Sequence, residues 1–455
     1  MGFWSTISSP IYLPVMPILQ HQFKVTEEQL NLTVVVYSIF QGLAPVLFSN
    51  LADQFGRRLI VITCLTVYIL ANVGLALNNT YPGLIVLRCI QAFGIALTVT
   101  VGSGIASDIT TKSERGSFIG ITTGLSLLGQ AFGALIGGLI ENSFGWRAIF
   151  WFLVISAGAS LILVFTCLPE TSRPLVGNGS NLPSNPLNRA PIFRLPKYRT
   201  RLVNEKLTIQ EKKKFTLLAP FKILRNTPTY MTLIPSSISY TVWLMMLTTL
   251  STSLSKSYGY NTLHIGLSYI PSGLGGLLGS VTSGKLLDYS YKKEFKKYIE
   301  RNEQHIEFDR YSGETEEHRL KTEPFNFIWA RLVLTIIPTL LSIIGSLIFG
   351  WSIYCKLHVA VPLLGSFLVS YAAMNYLTIS TTFIVDLNPS QTSGSSSTVN
   401  LTRCWCAALF IACLSQMVDS MTVGGCYTFM GGLLAISSLT IPYILINSLK
   451  WLELT

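Results

Sequence analysis

An arginine and a glutamine stand out in the apolar stretch at residues 82–107, because both are polar groups that can hold or relay a charge. Arg88 and Gln91 are one helical turn apart, so their side chains would share one face of a helix. A guanidinium inside hydrocarbon is costly, and such a residue usually faces the interior of a helix bundle and marks a pathway. The alternative is that Arg88 extends along its helix to the nearer interface. The pair therefore predicts either a pathway through a bundle or an interfacial anchor.

A second polar cluster follows an earlier apolar stretch and combines one acid with two adjacent bases. Gly56 permits a tight turn, and Asp53 can accept hydrogen bonds from a helix N-terminus. Arg57 and Arg58 can reach lipid phosphates or neighbouring carboxylates. An ordinary basic loop would explain the arginines but not Asp53, nor the second acid, Asp288, at a corresponding position later in the chain. We therefore expect this turn to act as a gate.

Glycines recur at regular intervals in the stretch at 117–140. They are Gly120, Gly129, Gly133, Gly137 and Gly138. Small residues four positions apart let two helices approach closely, so the simplest interpretation is a helix-packing face.

Polar and aromatic residues in the other apolar stretches could line a cavity. They are Tyr12, Tyr37, Gln41, Trp243, Asn375, Tyr376, Asn400 and Arg403. Such side chains suit a broad-specificity site for amphipathic or cationic compounds. Aromatic residues in membrane helices also serve as packing groups and interface anchors, and that alternative stays open.

The elements that would position these residues are membrane-spanning helices. The 455 residues are 49% hydrophobic and 12% charged, whereas a soluble domain carries about 25% charged residues. Twelve apolar runs are long enough to cross a hydrocarbon core, at about 3–22, 32–52, 59–77, 82–107, 117–140, 146–168, 229–252, 262–284, 326–350, 357–385, 394–418 and 425–448. No basic segment precedes the first run and no cleavage site follows it, so we expect no removable signal peptide. We expect instead a start that leaves the first helix short at its inner end.

Positive charge predicts the orientation of the chain. Of the 33 Lys and Arg residues, 26 lie in loops on one side and four on the other, so both termini are predicted to be cytoplasmic. This asymmetry and the anionic inner leaflet account for the net charge of +11, which leaves nucleic-acid binding without support. Membrane lipids are the expected surroundings.

Two polar segments divide the chain. The stretch 169–228 reads as a solvated cytoplasmic linker between a six-helix bundle at 1–168 and a second at 229–455. The cytoplasmic segment 285–325 carries a Lys/Glu-rich run that could form a surface helix, either a solvated face or a partner-binding one.

Internal similarity relates the two bundles. Asp53 and Asp288 follow corresponding spans at an offset of 235, and Asp108 and Asp386 precede corresponding spans at an offset of 278. Two halves repeated in the same orientation indicate a parallel-repeat transporter with its substrate site near the midplane. The predicted fold class is therefore an all-α membrane protein with two pseudo-symmetric six-helix bundles.

Carboxylates are missing from the middle of all twelve predicted spans. The remaining titratable candidates lie at helix ends, at Asp53, Asp108, Glu141 and Asp419. If proton coupling occurs, Asp53 with Arg115 or Arg88 could form a charge-pair switch that breaks in one orientation and re-forms in the other. The residues alone do not establish the coupling ion.

Other kinds of chemistry find little support. Six of the eight cysteines fall inside spans, where they behave as small apolar residues, and no metal site or cofactor is expected. A membrane-embedded enzyme is disfavoured, because the chain has no H-E-x-x-H motif, no intramembrane acid pair and no Gly-rich phosphate loop.

Three of these patterns resemble signatures of the major facilitator superfamily. The run 49–58 resembles G-x-L-A-D-x-x-G-R-[RK], with Ser49 in place of the first glycine. Arg88 and Gln91 resemble R-x-x-Q-G, a signature implicated in proton transfer, with Ala92 in the glycine position. The five glycines resemble the antiporter signature G-x8-G-x3-G-P-x2-G-G of exporters, with Ala134 in the proline position.

The resemblance extends along the whole chain and is most specific in the Leu-Pro-Glu-Thr to Gly-Asn-Gly stretch at 168–179. It points to the quinidine-resistance and dityrosine-exporter branch of fungal drug:proton antiporters. This implies a monomeric plasma-membrane exporter of small organic molecules, with protons as the coupling ion. An importer stays open because of Ala134, and so does a sensor on the same scaffold that signals through its long loops.

Overall fold

The computed structural model describes residues 6–109, 129, 132–176, 188–191, 223–312, 325–388, 392–448 and 451. Helices dominate the part of the chain that it describes. In the first half a 3-10 turn at Pro10–Val15 leads into α1 (Met16–Phe23), followed by α2 (Glu27–Phe55), α3 (Arg57–Leu77), α4 (Tyr81–Ile109), α5 (132–144) and α6 (Trp146–Cys167). The second half contains α7 (Thr227–Tyr258), α8 (Ile270–Ser312), α9 (Ile336–Tyr354), α10 (Ala360–Leu387), α11 (Thr392–Ala412) and α12 (Leu414–Ser438).

Eight helical stretches among the described residues are long and apolar enough to cross a membrane by length and composition. The fold class is as predicted. Two of the other predicted spans have physical reasons to fall short of that criterion, because the first begins as a 3-10 turn with prolines at positions 10 and 14 and α11 begins with a run of serines and threonines. The described part of α5 covers only 132–144.

The eighth span differs from the sequence prediction. A short helix, Thr262–Ser268, precedes α8, and α8 then continues without a break to Ser312. The predicted cytoplasmic segment 285–325 therefore begins as a continuation of α8, in agreement with the helix that its Lys/Glu-rich run could form. Asp288 lies exposed on this continuous helix, and no turn comparable to the one at Gly56 surrounds it.

Local sequence explains where α2 begins and ends. Thr26 accepts a hydrogen bond from the Gln29 backbone N–H while the Gln29 side chain accepts one from the Thr26 N–H, which forms a capping box. At the other end Gly56 has a φ of 103°, a conformation that side-chain-bearing residues rarely adopt. The chain can therefore pass from α2 to α3 with a single residue between them.

Close packing joins the helices. Contacts within the first half run between α3 and α4, α2 and α4, and α3 and α6, and those within the second half between α8, α9, α10 and α12. The largest contact between the halves runs along α2 and α11.

The glycines of α5 form a packing face, because a Cβ on Gly137 would lie 2.3 Å from the Ile11 carbonyl oxygen and one on Gly138 would lie 2.7 Å from the Thr262 carbonyl oxygen. Gly133 lies equally close to Pro10, Gly129 is buried, and Gly120 lies outside the described residues.

Candidate functional site

Arg88 lies in an aromatic enclosure. Its side chain is 1% exposed, and its guanidinium carbon lies 4.0 Å from the Tyr12 ring centroid and 4.4 Å from the Tyr37 ring centroid. Both distances fit cation–π contacts, which gain strength where water is excluded. The alternative in which Arg88 extends to the interface is therefore wrong, and the arginine faces the interior of the bundle.

A chain of side-chain hydrogen bonds orients this arginine. Arg88 Nη1 donates to Gln91 Oε1 at 2.7 Å, and Gln91 Nε2 donates to Asn72 Oδ1 at 2.7 Å. Asn72 Nδ2 in turn donates to the Tyr68 carbonyl oxygen at 2.7 Å. Because each amide donates away from the arginine, the Gln91 oxygen is held towards the guanidinium. Asn72 was missed in the sequence, where its one signal was an amide within an apolar run.

The positive charge of Arg88 has no carboxylate against it among the described residues. Its Nε and the Tyr37 hydroxyl are buried without a hydrogen-bond partner in that part of the chain. Asp53 cannot supply the missing charge here. The Tyr81 hydroxyl donates to the Gln29 carbonyl, so α2 and α4 begin side by side. At 1.5 Å per residue Asp53 lies roughly 28 Å further along the bundle than Arg88.

The backbones of Asp53 and Arg88 are far apart in this conformation, and the charge-pair switch, which would break in one orientation and re-form in the other, stays a prediction. Its alternative partner, Arg115, lies outside the described residues. The backbones of Asp53 and Asp108 lie in α2 and α4, but their side chains are not among those described.

A second arginine lies on the seam between the halves. Arg403 of α11 donates from Nε and Nη2 to Asn400 Oδ1, at 3.1 and 2.7 Å, and its guanidinium carbon lies 4.8 Å from the Tyr240 ring centroid. Asn400 Nδ2 donates to the Gln41 carbonyl oxygen at 2.9 Å. This bond crosses from α11 to α2, so Asn400 ties the second arginine to the first half.

The remaining cavity candidates divide into two groups. Trp243 is buried beside Tyr240, with ring centroids 5.3 Å apart, and its Nε1 donates to Ser370 Oγ at 3.0 Å. Asn375 and Tyr376 instead pack within the second half. Asn375 Nδ2 lies 3.4 Å from Thr282 Oγ1, and Tyr376, fully buried, faces Thr335, Thr339 and Ser438.

The Glu170 carboxylate organises the predicted cytoplasmic end of the first half. Glu170, 5% exposed, accepts hydrogen bonds from the backbone N–H groups of Arg57 and Arg58 at 2.9 and 3.2 Å. An acid at a helix N-terminus stabilises the unpaired donors and the helix dipole there. The Asn188 side chain donates to the Phe55 carbonyl at 2.9 Å. Gly56 fits between them, since a Cβ at this position would lie 2.4 Å from Glu170 Oε2.

Arg58 is buried at the same place but bonded differently from Arg88. Its Nη1 donates to the Val164 and Leu168 carbonyls, and its Nη2 donates to the Phe165 carbonyl at 2.7 Å. These carbonyls lie at the C-terminus of α6, where a cation also interacts favourably with the helix dipole. The sequence prediction named lipid phosphates or neighbouring carboxylates as partners of this arginine. The structure adds these backbone carbonyls, and the Glu170 carboxylate lies close enough to interact with the guanidinium electrostatically.

The corresponding end of the second half uses an ion pair. Arg331, just before α9, donates from Nε to Asp386 Oδ2 at the end of α10, at 3.0 Å, and stacks on the Tyr291 ring at 4.8 Å. Asp386 is the residue that internal similarity relates to Asp108.

At the predicted outer end, side chains connect the two halves. Lys256 of α7 pairs with Glu27 of α2, and Gln416 Nε2 of α12 donates to Glu28 Oε1 at 3.1 Å. Asn31 Nδ2 donates to Ser415 Oγ at 3.0 Å. We call these three links the outer closure.

The protein is a helical bundle of two halves with a buried arginine beside the seam between them, and this arrangement is typical of multi-span membrane transporters. A family model described as Major Facilitator Superfamily matches residues 1–412, and the chain belongs to this superfamily. It is a transporter and not an enzyme.

Similar proteins carry transporter names. The MFS antiporter QDR2 of Candida albicans is 43% identical over 452 residues, which are 99% of this chain and 87% of that protein. The quinidine resistance protein 1 of Saccharomyces cerevisiae is 39% identical over 457 residues, 98% of this chain and 81% of that protein. The resemblance to the quinidine-resistance branch is thus confirmed. The structure of the xylose transporter XylE from E. coli, in a partially occluded inward open conformation, has a TM-score of 0.65 and 16% identity, covers 97% of this chain and 94% of its own, and shares the fold.

Proposed function

We propose that this protein exports small organic molecules by alternating access and uses inward proton movement to drive them out. The observation that carries the proposal is the enclosed, uncompensated Arg88 beside a seam whose predicted outer end is held shut by the outer closure. Such a seam can open on one side as it closes on the other. Relatives named as an antiporter and as a quinidine resistance protein support the outward direction and a broad range of substrates.

The two halves and the segment between them have different roles in this proposal. Residues 1–168 and 229–455 act as the rocking bundles, with 169–228 as the cytoplasmic linker and both termini inside. The protein acts as a monomer in the plasma membrane. Gly133 and Gly137 let α5 lie against the first span, and Gly138 lets it lie against Thr262 of the second half, which supports a tight seam.

The coupling proposal gives named residues distinct roles. Arg88 and Gln91 respond to protonation within the bundle, and Arg57 holds the cytoplasmic side in one of two arrangements, while Arg58 anchors the turn to the end of α6. Asp53, Asp108 and Asp288 with Arg115 are proposed as charged groups whose pairing changes between the two orientations.

Flux measurements in proteoliposomes of known orientation test this function. A panel of cationic drugs, weak acids, polyamines and peptides is offered with and without a pH gradient. We expect at least one class to move from the cytoplasmic to the outer face, and faster when the outer side is acidic. Movement only in the opposite direction would establish an importer, and no flux of any class under either condition would support a sensor.

A further inference from the structure

One face of α8 stays exposed from the membrane region into the predicted cytoplasmic segment. Within the predicted span the exposed side chains on this face are apolar, namely Leu274, Leu278 and Val281. They are four and three positions apart, so they lie above one another on the helix. Because the surroundings of a spanning helix are hydrocarbon, this face lies against lipid tails.

The same face carries lysines where the predicted span ends. The spacing of three and four positions continues from Val281 through Lys285, Tyr289, Lys292 and Lys296, and all four of these later side chains are exposed. We call Lys285, Lys292 and Lys296 the lysine stripe. Tyr289, 66% exposed, stands between its first two members. Tyrosine is enriched at the level of lipid headgroups, which is where an apolar face that turns basic would lie.

The opposite face of α8 is fixed against the bundle. Within the span, the hydroxyl oxygens of Ser272 and of Ser370 in α10 are 2.6 Å apart and share a hydrogen bond. Beyond the span Leu287 is buried, and the rings of Tyr291 and Phe325 meet edge to face with centroids 5.1 Å apart. These contacts set the rotation of α8 on both sides of the predicted interface. The lysine stripe therefore points away from the bundle, in the direction of the surrounding lipid.

The positive charge of the lysine stripe is only partly balanced by the protein. Lys285 and Lys292 have no ion pair among the described residues, although the exposed Asp288 is four positions before Lys292. Lys296 lies 3.7 Å from Glu300, and both side chains are exposed. An exposed pair of this kind contributes little, so it can give way to another anion.

The depth of these lysines suits a phospholipid. Lys285 directly follows the predicted span, and Lys292 is roughly 10 Å further along the helix at 1.5 Å per residue. The headgroup region extends roughly 5–8 Å beyond the hydrocarbon core. The long stem of a lysine lets its ammonium group reach back towards the interface, so Lys285 and Lys292 can contact one headgroup. A lipid can meet both parts of this surface at once, because its tails fit the apolar part and its phosphate fits the basic part.

We propose that this face of α8 binds an anionic phospholipid of the leaflet at this end of the bundle, which is predicted to be the cytoplasmic one. The headgroup lies between Lys285 and Lys292, Lys296 adds to the positive potential, and the acyl chains follow Leu278 and Val281. Lipid binding at this face does not depend on the direction of transport or on the coupling ion.

Native mass spectrometry of the purified full chain in detergent tests this binding. The dissociation constant of the first bound lipid is measured for phosphatidylserine and for phosphatidylcholine with the same acyl chains. We expect the wild-type chain to bind phosphatidylserine about tenfold more tightly, because several lysines near the surface attract an anionic headgroup. The combined changes Lys285→Gln, Lys292→Gln and Lys296→Gln should bring the two constants within about twofold of each other. Phosphatidylcholine binding should stay unchanged, since the apolar face is intact.

Two matched variants separate a site from net charge. Combined Lys212→Gln, Lys213→Gln and Lys214→Gln removes the same charge from the predicted linker and should keep the wild-type preference. Combined exchange of the lysine stripe for arginines keeps the charge and should also keep the preference for phosphatidylserine. Glycerophosphoserine, the same headgroup without acyl chains, should not displace the bound lipid at equal concentration.

Four results would overturn the proposal. They are equal affinity of the wild-type chain for the two lipids, the same loss of preference in the linker variant, loss of both lipids by the same factor in the glutamine variant of the lysine stripe, and full displacement of the lipid by glycerophosphoserine. The last result would show a site for the free headgroup and not for a lipid.

Discussion

Two arginines of the first half are equally buried and yet differ in every bond they make. Arg58 and Arg88 are each 1% exposed. Arg58 donates to three backbone carbonyls at the end of α6, and its own backbone N–H is bonded to Glu170. Arg88 has one side-chain hydrogen bond, two aromatic faces and an unpartnered Nε.

The difference distinguishes a buried arginine that stabilises the fold from one that is retained for transport. A buried guanidinium with well-placed acceptors holds two helices together, and removing it leaves those acceptors unsatisfied. A buried guanidinium with a single side-chain acceptor and no carboxylate costs stability, so its retention needs another reason. We therefore expect changes at Arg58 to affect folding and changes at Arg88 to affect transport.

The largest effect is expected for Arg88→Ala. This change should lower efflux per protein molecule at least tenfold while the protein still reaches the membrane, because the charge is lost but the surrounding helices keep their contacts. Efflux is normalised to surface abundance. Arg88→Lys serves as the matched variant, since it keeps the charge without the planar group. Unchanged efflux in Arg88→Ala would remove Arg88 from the mechanism.

Arg58→Ala should lower the free energy of unfolding by about 3 kcal/mol, because several buried carbonyls lose a charged donor. The midpoint of thermal unfolding in detergent and the surface abundance should both fall. Efflux per remaining molecule should change less than threefold. If Arg58→Ala has wild-type stability but no transport activity, Arg58 acts in transport and not in folding.

Glu170→Gln should have a smaller effect of about 1.5 kcal/mol on the free energy of unfolding, because an amide keeps one acceptor but directs N–H groups at backbone donors. The effect is read from thermal unfolding, and Glu170→Ala should cost more than Glu170→Gln. If both variants unfold at the wild-type temperature, the carboxylate does not anchor the turn between α2 and α3.

Of the changes proposed here, Tyr37→Phe should have the smallest effect on the free energy of unfolding. It removes a hydroxyl without a partner among the described residues and keeps the ring against the guanidinium. The free energy of unfolding should stay within about 0.5 kcal/mol of wild type. Tyr37→Ala removes the ring and should lower it by 3 kcal/mol or so. Equal effects of the two changes would show that the hydroxyl matters and that the ring does not.

The sequence predicted local relations better than distant ones. The spacing of Arg88 and Gln91 places both on one helix face, and the structure joins them by a hydrogen bond. The glycines of α5 predicted close packing, which Gly137 and Gly138 show. Periodicity and charge spacing report on neighbours along one helix, so these features were accessible.

Contacts between remote segments were not accessible. Glu170 lies 113 residues from Arg57, and nothing in a single sequence relates an acid after α6 to the start of α3. Asn72 similarly meets Gln91 from another helix. The sequence identified the turn at Gly56 as special, but it gave no sign that the fold also brings Glu170 to this turn.

The central claim is that the two halves move against each other, and a crosslink across the outer closure tests it most directly. Asn31→Cys with Ser415→Cys replaces a pair whose side chains are in hydrogen-bond contact. The pair is bridged with a short thiol-specific crosslinker in oriented proteoliposomes. The wild-type chain with its eight cysteines is treated in the same way as a control. We predict that crosslinking abolishes flux and that reduction restores it, whereas wild-type rates in the fully crosslinked protein would contradict alternating access.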